Sequence, residues 1–256
     1  MHRIGRNNVL PINYQYEFSS WIYKILHYGD PIFSTWLHQN GYLVDGKQFR
    51  LFTFSQLFFP NYGYAIKQDR LIVKSRECYL EVALLVEEAA QHFVMGIFKN
   101  QKFGIGDRQS VVDFSVASVE RLPEPSWEET MTFRCISPLC VAIKTEYEGK
   151  ESTKYLSPEA EDYGVLLQKN LMNKWLAFHQ TAPLNSGEKM NIVPFKFELL
   201  TPPKSRLIKI KSDTAQETKV RGFLFDFEVS GASELLRIGY ESGFGEKNAM
   251  GFGCVR

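Results

Sequence analysis

The chain has 256 residues, 44% hydrophobic and 23% charged, with 30 Lys and Arg against 29 Asp and Glu. That balance excludes a disordered or fibrous chain and a globally basic nucleic-acid binder, so any site for a polyanion must be a local patch. The four cysteines (Cys78, Cys135, Cys140, Cys254) form no C-x-x-C pair and stand at no metal-ligand spacing from a histidine, and there is no N-terminal signal region or long apolar run; together these read as a cytoplasmic, non-membrane protein with buried free thiols, no metal and no cofactor.

In chain order, Ser19 to Leu26 carries apolar residues at Trp21, Ile22, Ile25 and Leu26, the spacing of an amphipathic helix with a serine as N-cap. Asp30-Pro31 opens a second helix, with Ile32, Phe33, Trp36 and Leu37 on its buried face, and Gly41 ends it. Phe49 to Phe59 and Leu71 to Val86 read as β-rich, Glu87 to Asn100 as a helix, and Val111 to Val119 as a strand. Pro123-Glu-Pro125 is the expected linker. Beyond it, Met131 to Ile143 and Lys154 to Leu156 read as strands and Pro158 to Phe178 as a long helix capped by Ser157. Three strands follow (Val193 to Leu200, Leu207 to Lys211, Val220 to Val229), then a short helix, Ser233 to Gly239, and a last strand from Met250 to Arg256.

Both halves therefore read as strand, helix, two strands, helix, strand. That is the ferredoxin-like order, and the expected fold is α+β: two tandem ferredoxin-like (RRM-like) domains, residues 1–122 and 126–256, each an antiparallel sheet with helices on one face. The first strand is the weakest prediction. Only Met1 to Leu10 is available for it, with a glycine and two asparagines, so it is either very short or missing.

Near the end of the chain, Gly239, Gly243, Gly245, Gly251 and Gly253 fall within fifteen residues. A dinucleotide fingerprint from Gly243-Phe-Gly245 would need Gly or Ala at Asn248 and a strand leading into a helix, and a P-loop would need a different leading spacing and a Ser or Thr after Lys247. Two readings remain: a structural turn with several positive-φ positions, or a loop whose bare backbone closely approaches a ligand, with amides for phosphate oxygens and Lys247 adding charge.

Gly239-x-x-x-Gly243-Phe-Gly245-Glu-Lys-Asn-x-x-Gly251-Phe-Gly253 resembles the signature glycine-rich loop of the CRISPR-associated repeat-processing endoribonucleases of the repeat-associated mysterious protein superfamily. Leu10-Pro-Ile-Asn-Tyr-Gln-Tyr16, Ser20-Trp-Ile-Tyr23, Trp36-Leu-His38, Leu51-Phe-Thr-Phe-Ser55 and Ser137-Pro-Leu139 add to the likeness, which spans both halves. The resemblance implies two tandem ferredoxin-like domains and metal-independent cutting of CRISPR repeat RNA to give mature guide RNAs. It implies repeat RNA as a partner and leaves effector-complex subunits and a second copy of the chain as further ones. A repeat-RNA binder or effector subunit that does not cut is the alternative.

Such cleavage uses the RNA's own 2′-hydroxyl and leaves 2′,3′-cyclic phosphate and 5′-hydroxyl ends. It needs an acid for the departing oxygen and a cation for the phosphorane-like transition state. Of the five histidines, His38 lies in the last turn of the second helix, where unpaired carbonyls favour an imidazolium, and it matches the family's histidine. His27 is the reserve. Tyr23 stands at the family's active-site tyrosine, and a phenol titrating near 10 suits orientation of the 2′-hydroxyl better than proton removal. Lys47 is the first choice of cation and Arg50 the second, with phosphate binding its other use. Lys204 to Arg221 holds six basic residues (Lys204, Arg206, Lys209, Lys211, Lys219, Arg221) against Asp213 and Glu217. Lys204, Arg206, Lys209, Lys211 and Lys247, with Gly243, Gly245, Gly251 and Gly253, are the expected RNA contacts. The glycine loop is expected between the domains, beside the RNA backbone.

Overall fold

Asp30 ends one helix and starts the next. Its backbone N–H donates to Leu26 O as helix α1 (Gln15–Gly29) closes, and its carboxylate accepts from Phe33 N at 2.8 Å as the N-cap of helix α2 (Pro31–Gln39). Pro31, at the first helical position, loses only an N–H that had no intrahelical partner. The first helix starts at Gln15, one turn before the expected Ser19, and Ser19 is buried inside it rather than capping it. Its apolar stripe packs on helix α3 (Glu87–Lys99). At Gly29 and Gly96 the two backbones nearly touch: a Cβ on Gly96 would sit 1.9 Å from Ile25 O, and one on Gly29 2.0 Å from His92 O. Only glycine permits that approach.

The structure, a computed structural model, describes residues 1–147, 149–180, 193–212 and 214–256. The first half contributes strands β1 (His2–Ile4), β2 (Val9–Pro11), β3 (Tyr42–Val44), β4 (Lys47–Phe49), β5 (Phe52–Phe54), β6 (Tyr64–Lys67), β7 (Arg70–Val73), β8 (Val82–Leu84), β9 (Lys102–Gly106) and β10 (Val111–Ser115). The uncertain first strand is β1, three residues long, antiparallel to β10. Its other side meets the chain ahead of β8, through Arg3 N to Arg76 O (2.7 Å) and Cys78 N to Met1 O (3.0 Å), and β8 pairs with β5. The sequence β1, α1, β5, β8, α3, β10 is the ferredoxin-like order. Hairpins β3–β4 and β6–β7 are additions to it.

The second half contributes β11 (Thr130–Arg134), β12 (Ala142–Tyr147), β13 (Lys150–Tyr155), helix α4 (Tyr163–His179), β14 (Lys196–Leu199), β15 (Lys204–Ile210), β16 (Thr218–Leu224), β17 (Asp226–Ser230) and helix α5 (Ser233–Ser242). Its sheet runs β11–β17–β14, with the chain end outside β11 through the bridge Cys135–Val255 and the reciprocal pair Arg134 N to Arg256 O (2.8 Å) and Arg256 N to Arg134 O (3.0 Å). The molecule is thus α+β with tandem ferredoxin-like folds. Three local expectations are corrected. The predicted last strand, Met250 to Arg256, is a 3₁₀ turn (Asn248–Met250) and a single bridge, because Gly251 and Gly253 take positive φ. Helix α4 starts at Tyr163, and Ser157 instead caps a turn, its Oγ accepting from Glu159 N. The run from Met131 to Ile143 breaks at Ser137-Pro138, where the chain turns to meet the C-terminal segment.

The larger apolar cluster centres on Phe18, Ile22, Phe52, Phe54 and Phe114 and takes in Ala177 and Ile238 from the second half. The second centres on Phe133, Leu167, Leu171, Phe227 and Phe244. A small third cluster joins Ile208, Ile210 and Val220 of the β15–β16 hairpin to Cys140 and Phe252, with Tyr16 against it. All four cysteines are free and buried, and burial pushes the Cys78 thiol up to about 11.

Candidate active site

Helices α1 and α2 bring Tyr23 and His38 together. Their rings meet edge to face at 5.0 Å, and the Tyr23 ring leans on Phe52 of β5 at 5.5 Å. Ser34 ties the helices at this point by donating to Tyr23 O at 3.0 Å. The imidazole is exposed and the phenol half-buried. Three of the other four histidines face carboxylates: His2 faces Glu77, His92 faces Glu88 and Asp30, and His179 meets Glu234 at 2.7 Å. His27, the reserve acid, is exposed and makes no hydrogen bond or ring contact with Tyr23 among the described residues.

Arg50, which leads from the β3–β4 hairpin into β5, completes the cluster. Its guanidinium donates to His38 O (2.7 Å), Asn40 O (3.3 Å) and Gln48 Oε1 (3.1 Å). The carbonyls at the end of α2 are therefore occupied, not free as expected for charging His38. Burial raises the Tyr23 phenol above its ordinary value, while the charge and hydrogen bond of Arg50 pull the other way. The phenol keeps its proton near neutrality, and its oxygen accepts from the Arg50 guanidinium, which leaves the O–H to donate elsewhere. Lys47, the cation expected first, lies beyond the hairpin turn, its side chain exposed and with no hydrogen bond or ion pair among the described residues. Its neighbour Gln48 docks the hairpin on α2 by donating to Gln39 O at 3.3 Å.

The glycine loop departs from expectation. Gly243, Gly245, Gly251 and Gly253 are all buried and give RNA no open backbone surface; Lys247 alone of that expected group is exposed. The loop does lie between the halves. On one side Gly251 lies under Phe54, and Thr53 Oγ1 donates to Phe252 O at 2.9 Å. On the other, Gly253 N donates to Pro138 O (2.9 Å), Glu246 N to Cys140 O (2.7 Å) and Cys254 N to Ser137 Oγ (2.9 Å). Glycine is required at 253 because φ is +74° and a Cβ would lie 1.9 Å from Phe244 O. The motifs Leu51 to Ser55 and Ser137 to Leu139 are thus the two walls of this seam.

Sequence reasoning missed Lys174. It is 2% exposed on α4, and its ammonium donates to Gly243 O, to Gly245 O (3.0 Å) and to Asn248 Oδ1 (2.7 Å). Asn248 in turn donates to Phe244 O (3.1 Å) and Phe252 O (3.0 Å). Burial depresses Lys174 to about 7, against a smaller opposing pull from Glu246. One signal was available: Lys174 falls in the buried stripe Leu167, Leu171, Lys174, Ala177, where an unpaired charge is costly.

In the β15–β16 hairpin, Ile208 and Ile210 are buried and Lys209 between them faces the other side, but Lys211, expected beside Lys209, lies past the end of β15 at a φ of +53°, where strand alternation no longer applies. Lys209 pairs with Glu217 at 3.6 Å, and its N–H donates to Asn13 Oδ1 at 3.2 Å; Lys211 lies over the Tyr16 ring. Lys204 and Arg206 are exposed, and Asp213 lies outside the described residues. By contrast, the face of the second sheet away from its helices shows Glu198 directly across from Glu228. Among the described residues no helix is long and apolar enough to cross a membrane, and no group of three or more His, Cys, Asp or Glu could hold a metal ion.

Two family descriptions match nearly the whole chain: CRISPR-associated protein Cas6, N-terminal, over residues 9–120, and CRISPR associated protein Cas6, C-terminal, over residues 122–256. The chain belongs to the Cas6 family of CRISPR-associated proteins. It is 31% identical over 247 residues to CRISPR-associated endoribonuclease Cas6 1 of Methanocaldococcus jannaschii, covering 96% of this chain and 87% of that one. It is 26% identical over 247 residues to CRISPR-associated endoribonuclease Cas6 of Pyrococcus furiosus, covering 96% and 83%. Among solved structures, a Cas6-related protein of Pyrococcus furiosus superposes with a TM-score of 0.80 at 26% identity, over 100% of this chain and 94% of that one. Among Cas6 relatives this likeness embraces both halves and the seam between them.

Proposed function

We propose that this Cas6-family chain is an endoribonuclease that binds CRISPR repeat RNA and cuts it by attack of a 2′-hydroxyl on the adjacent phosphate, without metal. The bond from O2′ to phosphorus forms as the bond from phosphorus to O5′ breaks, and the 2′-hydroxyl proton passes to water. The ends are a 2′,3′-cyclic phosphate and a 5′-hydroxyl. What supports the reading most is the exposed His38 imidazole standing 5.0 Å from the Tyr23 ring in a chain whose relatives are named endoribonucleases.

His38 gives its proton to the departing O5′. Tyr23, kept protonated by burial, donates to the 2′-hydroxyl or a phosphate oxygen and orients the attack. Arg50 fixes both groups, through His38 O and the phenol, and Lys47 on the docked hairpin supplies charge to the transition state. The β15–β16 cations grip the RNA backbone, and residues 1–122 and 126–256 are the two units whose seam the RNA follows. The test is incubation with a panel of CRISPR repeat RNAs in chelator, followed by end-group analysis. Cyclic phosphate and 5′-hydroxyl ends are expected. Cleavage that stops in chelator, or ends of the opposite polarity, would overturn the mechanism, and a chain that binds repeats but never cuts them would be a binding protein.

A further inference from the structure

Beneath the glycine loop lies a cation that the reaction above does not use. Lys174 reaches from α4 to the end of α5, where its three N–H donors meet three oxygens: Gly243 O, Gly245 O and Asn248 Oδ1. Two of them are carbonyls just past the C-terminus of α5, the end of a helix that favours a cation. An ammonium sealed in a core is costly unless every donor is used, and here each one is.

The clamp is connected to the reacting groups by a short series of contacts. Asn248 passes the constraint to Phe252 O at 3.0 Å, and the same oxygen accepts from Thr53 Oγ1 at 2.9 Å. Thr53 stands on β5, a strand of three residues, next to Phe52. Adjacent residues of β5 thus touch the two groups: Thr53 meets the loop at Phe252, as Phe54 does at Gly251, and Phe52 meets Tyr23. The Phe52 ring is the surface on which Tyr23 rests at 5.5 Å, and Tyr23 in turn meets His38.

We propose that Lys174 is a positioning residue for RNA cleavage: by locking the glycine loop it holds Phe252 O against Thr53 and so sets β5, and with it the Phe52 ring that seats Tyr23 beside His38. The proposal rests on the endoribonuclease reading. It predicts that loosening the clamp moves the rate of the chemical step and leaves RNA affinity alone, since Lys174 is buried and touches no RNA.

The test uses the full chain carrying Lys174→Met, which keeps the length of the side chain and removes the donors, and Thr53→Val, which leaves the clamp intact and cuts its link to β5. Single-turnover cleavage of repeat RNA, its dissociation constant, and amide hydrogen exchange across residues 51–55 are measured. For Lys174→Met the rate is expected to fall about tenfold, with the dissociation constant changed less than about twofold and exchange at 51–55 faster. Thr53→Val should show the same pattern to a lesser degree. A folded Lys174→Met protein that cuts at the wild-type rate, or whose exchange at 51–55 is unchanged, overturns the proposal. Should Lys174→Met fail to fold, Thr53→Val decides: wild-type cutting overturns the proposal and a slower rate at unchanged affinity supports it. If wild type cuts no repeat RNA, the function reading fails by itself, and exchange at 51–55 in either variant still decides whether the clamp sets β5.

Discussion

The Tyr23–His38 site and the glycine loop both lean on β5, the first through Phe52 and the second through Thr53 and Phe54, and are built on opposite principles. The first is exposed and held by few ties: a ring edge, Ser34 on a helix carbonyl and Arg50 on the end of α2. The second is buried, and its backbone is used up by Lys174, Asn248, Thr53 and the Ser137–Cys140 wall. Under the proposed reaction the Tyr23–His38 pair has to meet a large polyanion and cannot be sealed, whereas a loop joining two sheets keeps its geometry by being sealed. Substitutions should separate accordingly, with loss of rate alone on one side and, on the other, loss of stability accompanied by a smaller loss of rate passed through β5.

The sharpest break is His38→Ala. Cleavage should fall by about 10²–10⁴-fold, the usual contribution of a positioned acid, with melting temperature and RNA affinity unchanged; single-turnover rates and thermal denaturation check this. Gly253→Ala should act first on stability. Its φ of +74° and the 1.9 Å approach to Phe244 O should cost about 2–5 kcal/mol, read from urea unfolding, and by shifting Phe252 and Asn248 it should also slow cleavage by the folded remainder, by less than His38→Ala does.

Lys174 sharpens the comparison through pH. Burial holds it near 7 in the fold against 10.5 unfolded, so from pH 7 up to 10.5 the unfolded chain keeps a proton that the folded chain has released. Stability from this residue therefore rises with pH across that window, by at most about 1.4 kcal/mol per unit, and is lowest below pH 7, where the buried charge carries its full cost. Unfolding measured at pH 6 and 8.5 should show the rise in wild type and a flatter dependence in Lys174→Met. The smallest effect belongs to the hairpin: Lys209→Ala with Lys211→Ala should weaken RNA binding about tenfold at moderate salt and lower the slope of log affinity against log salt by about 1.5, with the cleavage rate of bound RNA unchanged.

Much of the fold was legible because helices and caps are local. Asp30-Pro31 announces a helix boundary by itself, and the alternation of Ile208 and Ile210 with Lys209 assigns the two faces of β15 as far as the strand runs. Tyr23, His38 and Arg50, which the structure brings together, were all named from the sequence, whereas Lys47, named with them, stands apart beyond the hairpin turn, and the contacts of Arg50 were not legible. That Arg50 occupies the carbonyls at the end of α2 follows from the β3–β4 hairpin folding back on the helix, a contact twelve residues apart in sequence. The β1 strand was obscure because three residues carry almost no pattern, and only pairing with β10 makes it a strand.

By itself, then, the sequence determined the order of elements, the amphipathic faces and the need for glycine near the C-terminus, since each depends on neighbours a few residues away. Tertiary structure alone decided what those glycines are for. Residues 53, 138, 174 and 253 meet only after both sheets have formed, and that meeting buries the loop that composition would leave open to solvent. A backbone N–H or carbonyl looks the same in every sequence; whether it faces an RNA phosphate or a buried lysine depends on which distant segment packs against it.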